Sequence, residues 1–230
     1  MTEAVLTHNL MHYLPLLLAA HGRRADSRMV VAEEFACGEG VADIVVGLLP
    51  DAGPTNWSAA GWAVLESVTG AAVLRSLNRR APLSPHEIAG QIGMTTRTAR
   101  RYIDRLVDAG LACRRNGGFV GSHSVRDMPP TEIWAFEAKL FDWRRALYQA
   151  LRYRAFSQYS VVVMPESCLN GAFRSKCLFR QFGVGLLAVA DADGASFVIR
   201  PRRRRPRSAA IHLAAAAKLQ SCAALSRPTW

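Results

Sequence analysis

Glu137 and Lys139 are the strongest chemical signal in the chain. They stand two positions apart in the segment 132–140, Glu-Ile-Trp-Ala-Phe-Glu-Ala-Lys-Leu, which is apolar and β-favouring. Side chains alternate faces along a strand, so the carboxylate and the ammonium project the same way. Burying such a pair on an apolar strand is costly unless the charges are used. A divalent cation and a phosphodiester would use them. Asp43, three residues after Gly40, offers a second carboxylate at the head of another apolar run. Gln149 and Tyr153 are spaced i, i+4, which puts both on one face of a helix. Oxygen donors of this kind suit Mg²⁺ or Mn²⁺, hard cations that take carboxylates and keep several waters.

These residues need elements to hold them. Apolar positions at Val5, Leu6, Leu10, Tyr13, Leu14, Leu17 and Leu18 predict a helix over 3–20, interrupted or kinked by Pro15. Segments 29–36 and 41–49 are β-rich and separated by Cys37-Gly38-Glu39-Gly40, a turn signal, so they predict a hairpin. After 132–140, Asp142 is placed to cap a helix to about 156. A strand is expected over 159–164, a helix over 169–182, and a hairpin over 184–190 and 195–200 that turns at 191–194. The alanine-rich stretch 208–225 predicts a helix. The run 200–207 holds six arginines broken by Pro201 and Pro206. It fits a phosphate-binding segment or a solvated, irregular edge equally. The expected order is helix, strand, strand, insertion, strand, helix, strand.

Polar, proline-containing stretches at 50–58 and 122–131 bracket the insertion. A helical region is expected over 60–80. Ser84-Pro85-His86-Glu87 is a capping box with proline at the first helical position, and that helix ends near Gly93. Thr95 or Thr96 caps a longer helix that Gly110 stops, and Asn116-Gly117 marks a tight hairpin turn. Helix, helix, tight turn, helix, hairpin resembles a winged helix-turn-helix domain. Ile88, Ala89, Ile92, Ala99, Ile103, Leu106 and Val107 have the spacing of its small core. The resemblance implies DNA contact through Thr95, Thr96, Arg97, Thr98, Arg100 and Arg101 at the start of the third helix, and through Arg114 and Arg115 on the wing. Winged helices also dock proteins.

Across the insertion, Gly-x-x-Asp at 40–43, Glu-x-Lys at 137–139 and Gln-x-x-x-Tyr at 149–153 occur in one order, each on a suitable element. The set resembles the PD-(D/E)XK nuclease superfamily, in its RecB-like and λ-exonuclease-like branch, over roughly 1–50 and 131–200. The resemblance implies an α/β, restriction-endonuclease-like mixed sheet flanked by helices. The domains would be a discontinuous core, 1–50 with 131–230, and a winged-helix insertion, 51–130. It also implies a metal-dependent deoxyribonuclease. Asp43 and Glu137 would hold Mg²⁺ or Mn²⁺, with a backbone carbonyl near Ala138 as a third oxygen. Lys139 would orient water or stabilise transition-state charge, and Gln149 and Tyr153 would position the DNA or the metal-bound water. Glu34 is a further candidate metal ligand, since one of Glu33 and Glu34 must face inward on an alternating strand. His8 and His12, four apart on the first helix, read as surface or core histidines. Arg144, between Trp143 and Arg145 at the start of the helix after the catalytic strand, is a candidate DNA contact.

The 230 residues carry 29 Lys and Arg against 18 Asp and Glu, a formal net charge of +11. Lysine occurs only at 139, 176 and 218, so the positive charge is almost all arginine, which suits bidentate phosphate contact. DNA is the expected partner. The five cysteines, at 37, 113, 168, 177 and 222, lack zinc-finger spacing, so small buried thiols in a reduced, cytoplasmic protein are expected. No apolar run approaches the roughly 20 residues of a membrane span, and the N-terminus lacks the basic start of a signal peptide. A homodimer would suit cutting of both strands, though no coiled-coil heptads occur. Two other functions fit the same residues: a non-catalytic DNA-binding regulator with a nuclease-like core, and a module whose winged helix binds another protein.

Overall fold

The computed structural model describes residues 2–21, 27–38, 40–50, 58–78, 81–122, 131–190 and 194–225. Most of both expected linkers, at 51–57 and 123–130, lies outside the described residues, as do Glu39 and 191–193 at the expected turns. In chain order the elements are α1 (Glu3–Ala20), β1 (Ser27–Cys37), β2 (Gly40–Pro50), α2 (Ala59–Leu65), α3 (Val68–Leu77), α4 (Pro85–Ile92), α5 (Thr96–Asp108), β3 (Ala112–Arg115), β4 (Gly118–Gly121), β5 (Glu132–Ala138), α6 (Trp143–Tyr153), β6 (Tyr159–Pro165), α7 (Asn170–Arg174), α8 (Lys176–Phe182), β7 (Gly185–Val189), β8 (Ala195–Ile199) and α9 (Ala209–Leu225). They form two compact units, Met1–Leu48 with Glu132–Arg207, and Leu49–Thr131 with Ser208–Trp230.

The first unit is a six-stranded mixed sheet, ordered β1-β2-β5-β6-β7-β8. The β2–β5 and β7–β8 pairs are antiparallel, and β5–β6 and β6–β7 are parallel. On one face, Ile44, Val46, Trp134, Phe136, Val161 and Val163 meet Leu6, Leu10, Leu14, Leu17 and Leu18 of α1. On the other, the alternate residues Val162, Met164 and Leu186 meet Ala146, Leu147 and Ala150 of α6 and Phe179 of α8. β6 is buried along its whole length, as expected for a parallel strand covered on both sides. The architecture is the expected one, a mixed α/β sheet flanked by helices.

Several local expectations are corrected. α1 runs unbroken through Pro15, and Val5 is exposed rather than part of its core stripe. The single helix expected over 60–80 is two. Ser67 caps α3 by accepting from the Gly70 N–H, and a Cβ on Gly70 would lie 2.2 Å from the Val64 carbonyl oxygen, so only glycine allows this close turn between the helices. The helix expected over 169–182 is likewise two, broken at Ser175. Both pairs keep an apolar face across the break, so periodicity does not reveal it. The arginine run is neither helix nor strand. Backbone N–H groups of Arg202, Arg204 and Arg207 donate to the carbonyls of Gly183, Gln158 and Arg154, which pins it in place. Cys113 and Cys177 are exposed, contrary to the expectation of buried thiols.

The second unit gathers α2–α5, the β3–β4 hairpin and α9. Trp62, Leu65, Leu74, Ile88, Ile103, Leu106 and Phe119 share one core with Leu213, Ala214 and Ala217 of α9. Helix α9, expected with the sheet, therefore belongs here. Alanines let α9 pack closely, and Ser221 Oγ donates to Glu66 Oε1 at 2.6 Å. The expected capping box of α4 is present, with Glu87 Oε2 accepting from the Ser84 N–H at 2.7 Å. Asn116 and Gly117 both have positive φ, at 47° and 78°, as a tight hairpin turn needs. Val107 is exposed and lies outside the core. Among the described residues no helix is long and apolar enough to cross a membrane.

Candidate functional site

Asp43 and Glu137 come from neighbouring strands. β2 and β5 pair with Val45 opposite Ala135 and Ile44 opposite Phe136. One further step of that register sets Asp43 opposite Glu137. Ile44 and Phe136 pack against α1, so alternation sends both acids to the α6 side. Cross-strand neighbours have Cβ atoms about 4.5–5.5 Å apart. Asp43 Oδ2 accepts from the Ala138 N–H at 2.7 Å, which ties it to β5. Glu137 is fully buried.

α6 covers this pair. Asp142 caps the helix by accepting from the Arg145 N–H at 3.0 Å. Tyr153, in the last turn, directs its hydroxyl to the Val41 carbonyl at 2.7 Å and to Glu137 Oε2. Gly40 makes room for it, since a Cβ there would lie 3.3 Å from Tyr153 Cε1. Lys139 stands one residue past β5, held by its N–H to the Val163 carbonyl. Its Nζ lies 3.2 Å from Glu137 Oε1 and 3.1 Å from Glu3 Oε2, and donates to the Ala138 carbonyl at 2.9 Å. Glu3, in the first turn of α1, is a member of the site that no motif marks.

Burial sets the electrostatics. Desolvation raises the pKa of Asp43 against the Ala138 N–H and Lys139, with the charges of Glu34 and Glu3 adding to the rise. Desolvation also raises Glu137, opposed by the Tyr153 hydrogen bond and reinforced by Asp43. For Lys139, burial alone would lower the pKa, but Glu137, Glu3 and Asp43 outweigh it and the ammonium is stabilised. Burial and the adjoining Glu137 push Tyr153 far above the ordinary phenol range, so it stays neutral.

The donor set suits a hard cation. Glu137 Oε1 is buried without a hydrogen-bond partner, because Lys139 approaches within ion-pair distance but outside hydrogen-bond geometry. Gln149 Oε1, one turn before Tyr153, is also buried and unpaired. Among the described residues no group of three or more His, Cys, Asp or Glu side chains is placed to hold a metal. A cation here would take two carboxylates and complete its shell with carbonyl and water oxygens, the habit of Mg²⁺. Glu33 and Glu34 are both exposed, and the charge of Glu34 reaches Asp43. Alternation breaks at Glu34, whose φ of 46° is rare for a residue other than glycine. His8 and His12 are exposed on α1 with their rings edge to face at 4.9 Å. Arg144 is exposed, with its guanidinium 4.6 Å from the centre of the Trp143 ring.

The second unit presents a different surface. Thr95 Oγ1 caps α5 by accepting from the Thr98 N–H at 3.2 Å, and the two hydroxyls lie 2.9 Å apart. Thr96, Arg97 and Arg101 are exposed on the first turns of α5. Arg100 pairs with Asp104 at 2.9 Å, and Arg100 and Arg114 both lie over the Phe119 ring. Arg115 is exposed beside the hairpin turn. Residues 70–111 match the family model of winged helix-turn-helix DNA-binding domains. The inserted module is a winged helix. The match begins within α3 and ends just before the wing, so it spans the helix-turn-helix itself. In this winged helix Gly93, with φ 75°, makes the turn between α4 and α5. No curated protein and no solved structure matches the chain.

Proposed function

We propose that the sheet unit is a divalent-metal-dependent deoxyribonuclease and that the winged helix binds or positions its DNA. One observation carries the reading: two acids on neighbouring strands share a sheet face, and the more buried of them meets both an ammonium and a phenol. A structural strand gains little from an ammonium and two carboxylates at its end, since taking charges out of water is costly.

Asp43 and Glu137 would hold the metal, which when bound polarises the scissile phosphate and lowers the pKa of a water. Each of the surrounding residues has a distinct task. The Ala138 N–H fixes Asp43, and the Tyr153 hydroxyl fixes Glu137 Oε2, which leaves Oε1 without a hydrogen bond beside the Lys139 ammonium. Lys139, anchored between Glu137 and Glu3, presents positive charge to the phosphate as it becomes more negative. Gln149 holds a buried carbonyl oxygen one helical turn from Tyr153, ready to accept from a water or an amine. Because the carboxyl pKa values are raised, protons compete with the metal to higher pH than at ordinary carboxylates, so cutting should increase as the solution is made less acidic.

The test is incubation with supercoiled, linear and single-stranded DNA in Mg²⁺ or Mn²⁺ against a chelator. Cleavage should require the metal and fall at least about 100-fold in Lys139→Ala and in Asp43→Ala. Cleavage that survives in Lys139→Ala sinks the assignment. Tight binding without cutting in either metal makes the protein a DNA-binding regulator instead.

A further inference from the structure

The outer face of α6 is built in a way its packing does not explain. Trp143, Ala146, Leu147, Ala150 and Tyr153 turn inward. Phe141, just ahead of the helix, is 75% exposed, and Tyr148 is 65% exposed. Arg144, Arg145 and Arg152 are exposed alongside them. Within α6, steps of three or four residues align Arg144 and Arg145, Tyr148 and Arg152 along one stripe, and Phe141 is exposed two residues ahead of the helix. α6 contains no acidic residue, and among the described residues none of these arginines has a carboxylate partner. Arg152 Nη2 lies 4.0 Å from where a Cβ on Gly40 would stand, so the stripe ends at the head of β2, beside Tyr153.

We propose that this stripe is a track for single-stranded DNA, leading an unpaired strand to the Asp43–Glu137–Lys139 site. What stands at the end of the track rests on the nuclease reading; the track itself rests on the exposed face. A duplex keeps its bases stacked on one another and shows phosphates outward, so it would use the arginines and leave both rings idle. An unpaired strand uses all of them. Its bases stack on Phe141 and Tyr148, and its phosphates meet the guanidiniums. The unbalanced positive charge on the face points to a polyanion rather than to an apolar partner.

The experiment measures fluorescence anisotropy of labelled oligothymidine and of a duplex of equal length, in chelator so that nothing is cut. The double variant Phe141→Ala with Tyr148→Ala should weaken oligothymidine binding by about tenfold or more. It should leave duplex binding unchanged, because the winged helix is intact. Phe141→Trp with Tyr148→Phe should retain both affinities. Unchanged oligothymidine binding in the alanine variant overturns the track, as does an equal loss on both DNAs. A change in sedimentation alone overturns it too and makes the face a contact between copies of this chain. Cutting by the wild type in Mg²⁺ is scored separately: loss of oligothymidine binding supports the track whether or not the wild type cuts.

Discussion

Tyr153 has one hydroxyl hydrogen and two oxygens waiting for it, the Val41 carbonyl and Glu137 Oε2. A neutral Glu137 carboxyl relieves that shortage, and burial favours the same protonation. The folded pKa values of Glu137 and Asp43 both lie above their unfolded values. Their ionised forms therefore weaken the fold at neutral pH without metal, and stability is regained as pH falls through the folded pKa values. Glu137→Gln should raise the unfolding midpoint at pH 7–8 in chelator, by about 2–4 °C for each kcal/mol recovered. The gap from wild type should close as pH approaches the ordinary carboxylate range, about 4.3. A midpoint that drops at neutral pH in a thermal melt would mean that the carboxylate holds the fold together. That Glu137 and Lys139 share a face follows from strand alternation, and that Gln149 and Tyr153 share one follows from a helical turn; the nearness of Asp43 and Tyr153 to Glu137 was an expectation of the motif resemblance alone, since it joins separate elements. Glu3 was not legible in the sequence, because its contact with Lys139 joins residues 136 positions apart and leaves no local pattern.

α5 shows how one helix divides its arginines between structure and surface. Arg100 is held by Asp104, whereas Arg97 and Arg101 face water near the capped end without a carboxylate partner among the described residues. Arg97→Ala and Arg101→Ala should each weaken duplex binding and reduce the slope of log affinity against log salt by about one. Arg100→Ala should do less, since that cation is already neutralised by its neighbour. A titration at several salt concentrations in which Arg100→Ala costs the most would reverse the assignment. Elements of this kind could be read from the chain because their signals are short-range: the Ser84–Glu87 box, the Thr95 cap and the Asn116-Gly117 turn each need four residues or fewer. The breaks at Ser67 and Ser175 were hidden because a serine inside an apolar helical pattern announces no turn. The left-handed backbone of Glu34 suspends strand alternation, so spacing alone does not give the direction of that side chain.

At the scale of the molecule, α9 was placed with the wrong partner. Its alanines occur on every side, so no stripe names the surface that it covers, and only the fold shows Leu213, Ala214 and Ala217 in the winged-helix core. Leu213→Ala should destabilise that unit by about 2–5 kcal/mol. Hydrogen exchange should quicken at Ile103 and Leu106 and stay slow at Val161–Val163 in β6. Equal loss in β6, or none in α5, would count against the division. The interleaving has a further consequence for a nascent chain. β1 and β2 leave the ribosome before the insertion, yet β5, with which β2 pairs, follows all of it. The insertion in turn waits for its last helix. At elongation rates of about 5–20 residues per second, the hairpin's open edge stays unprotected for several seconds. A polypeptide halted before residue 132 completes neither body, so it should depend on chaperones until α9 has been made.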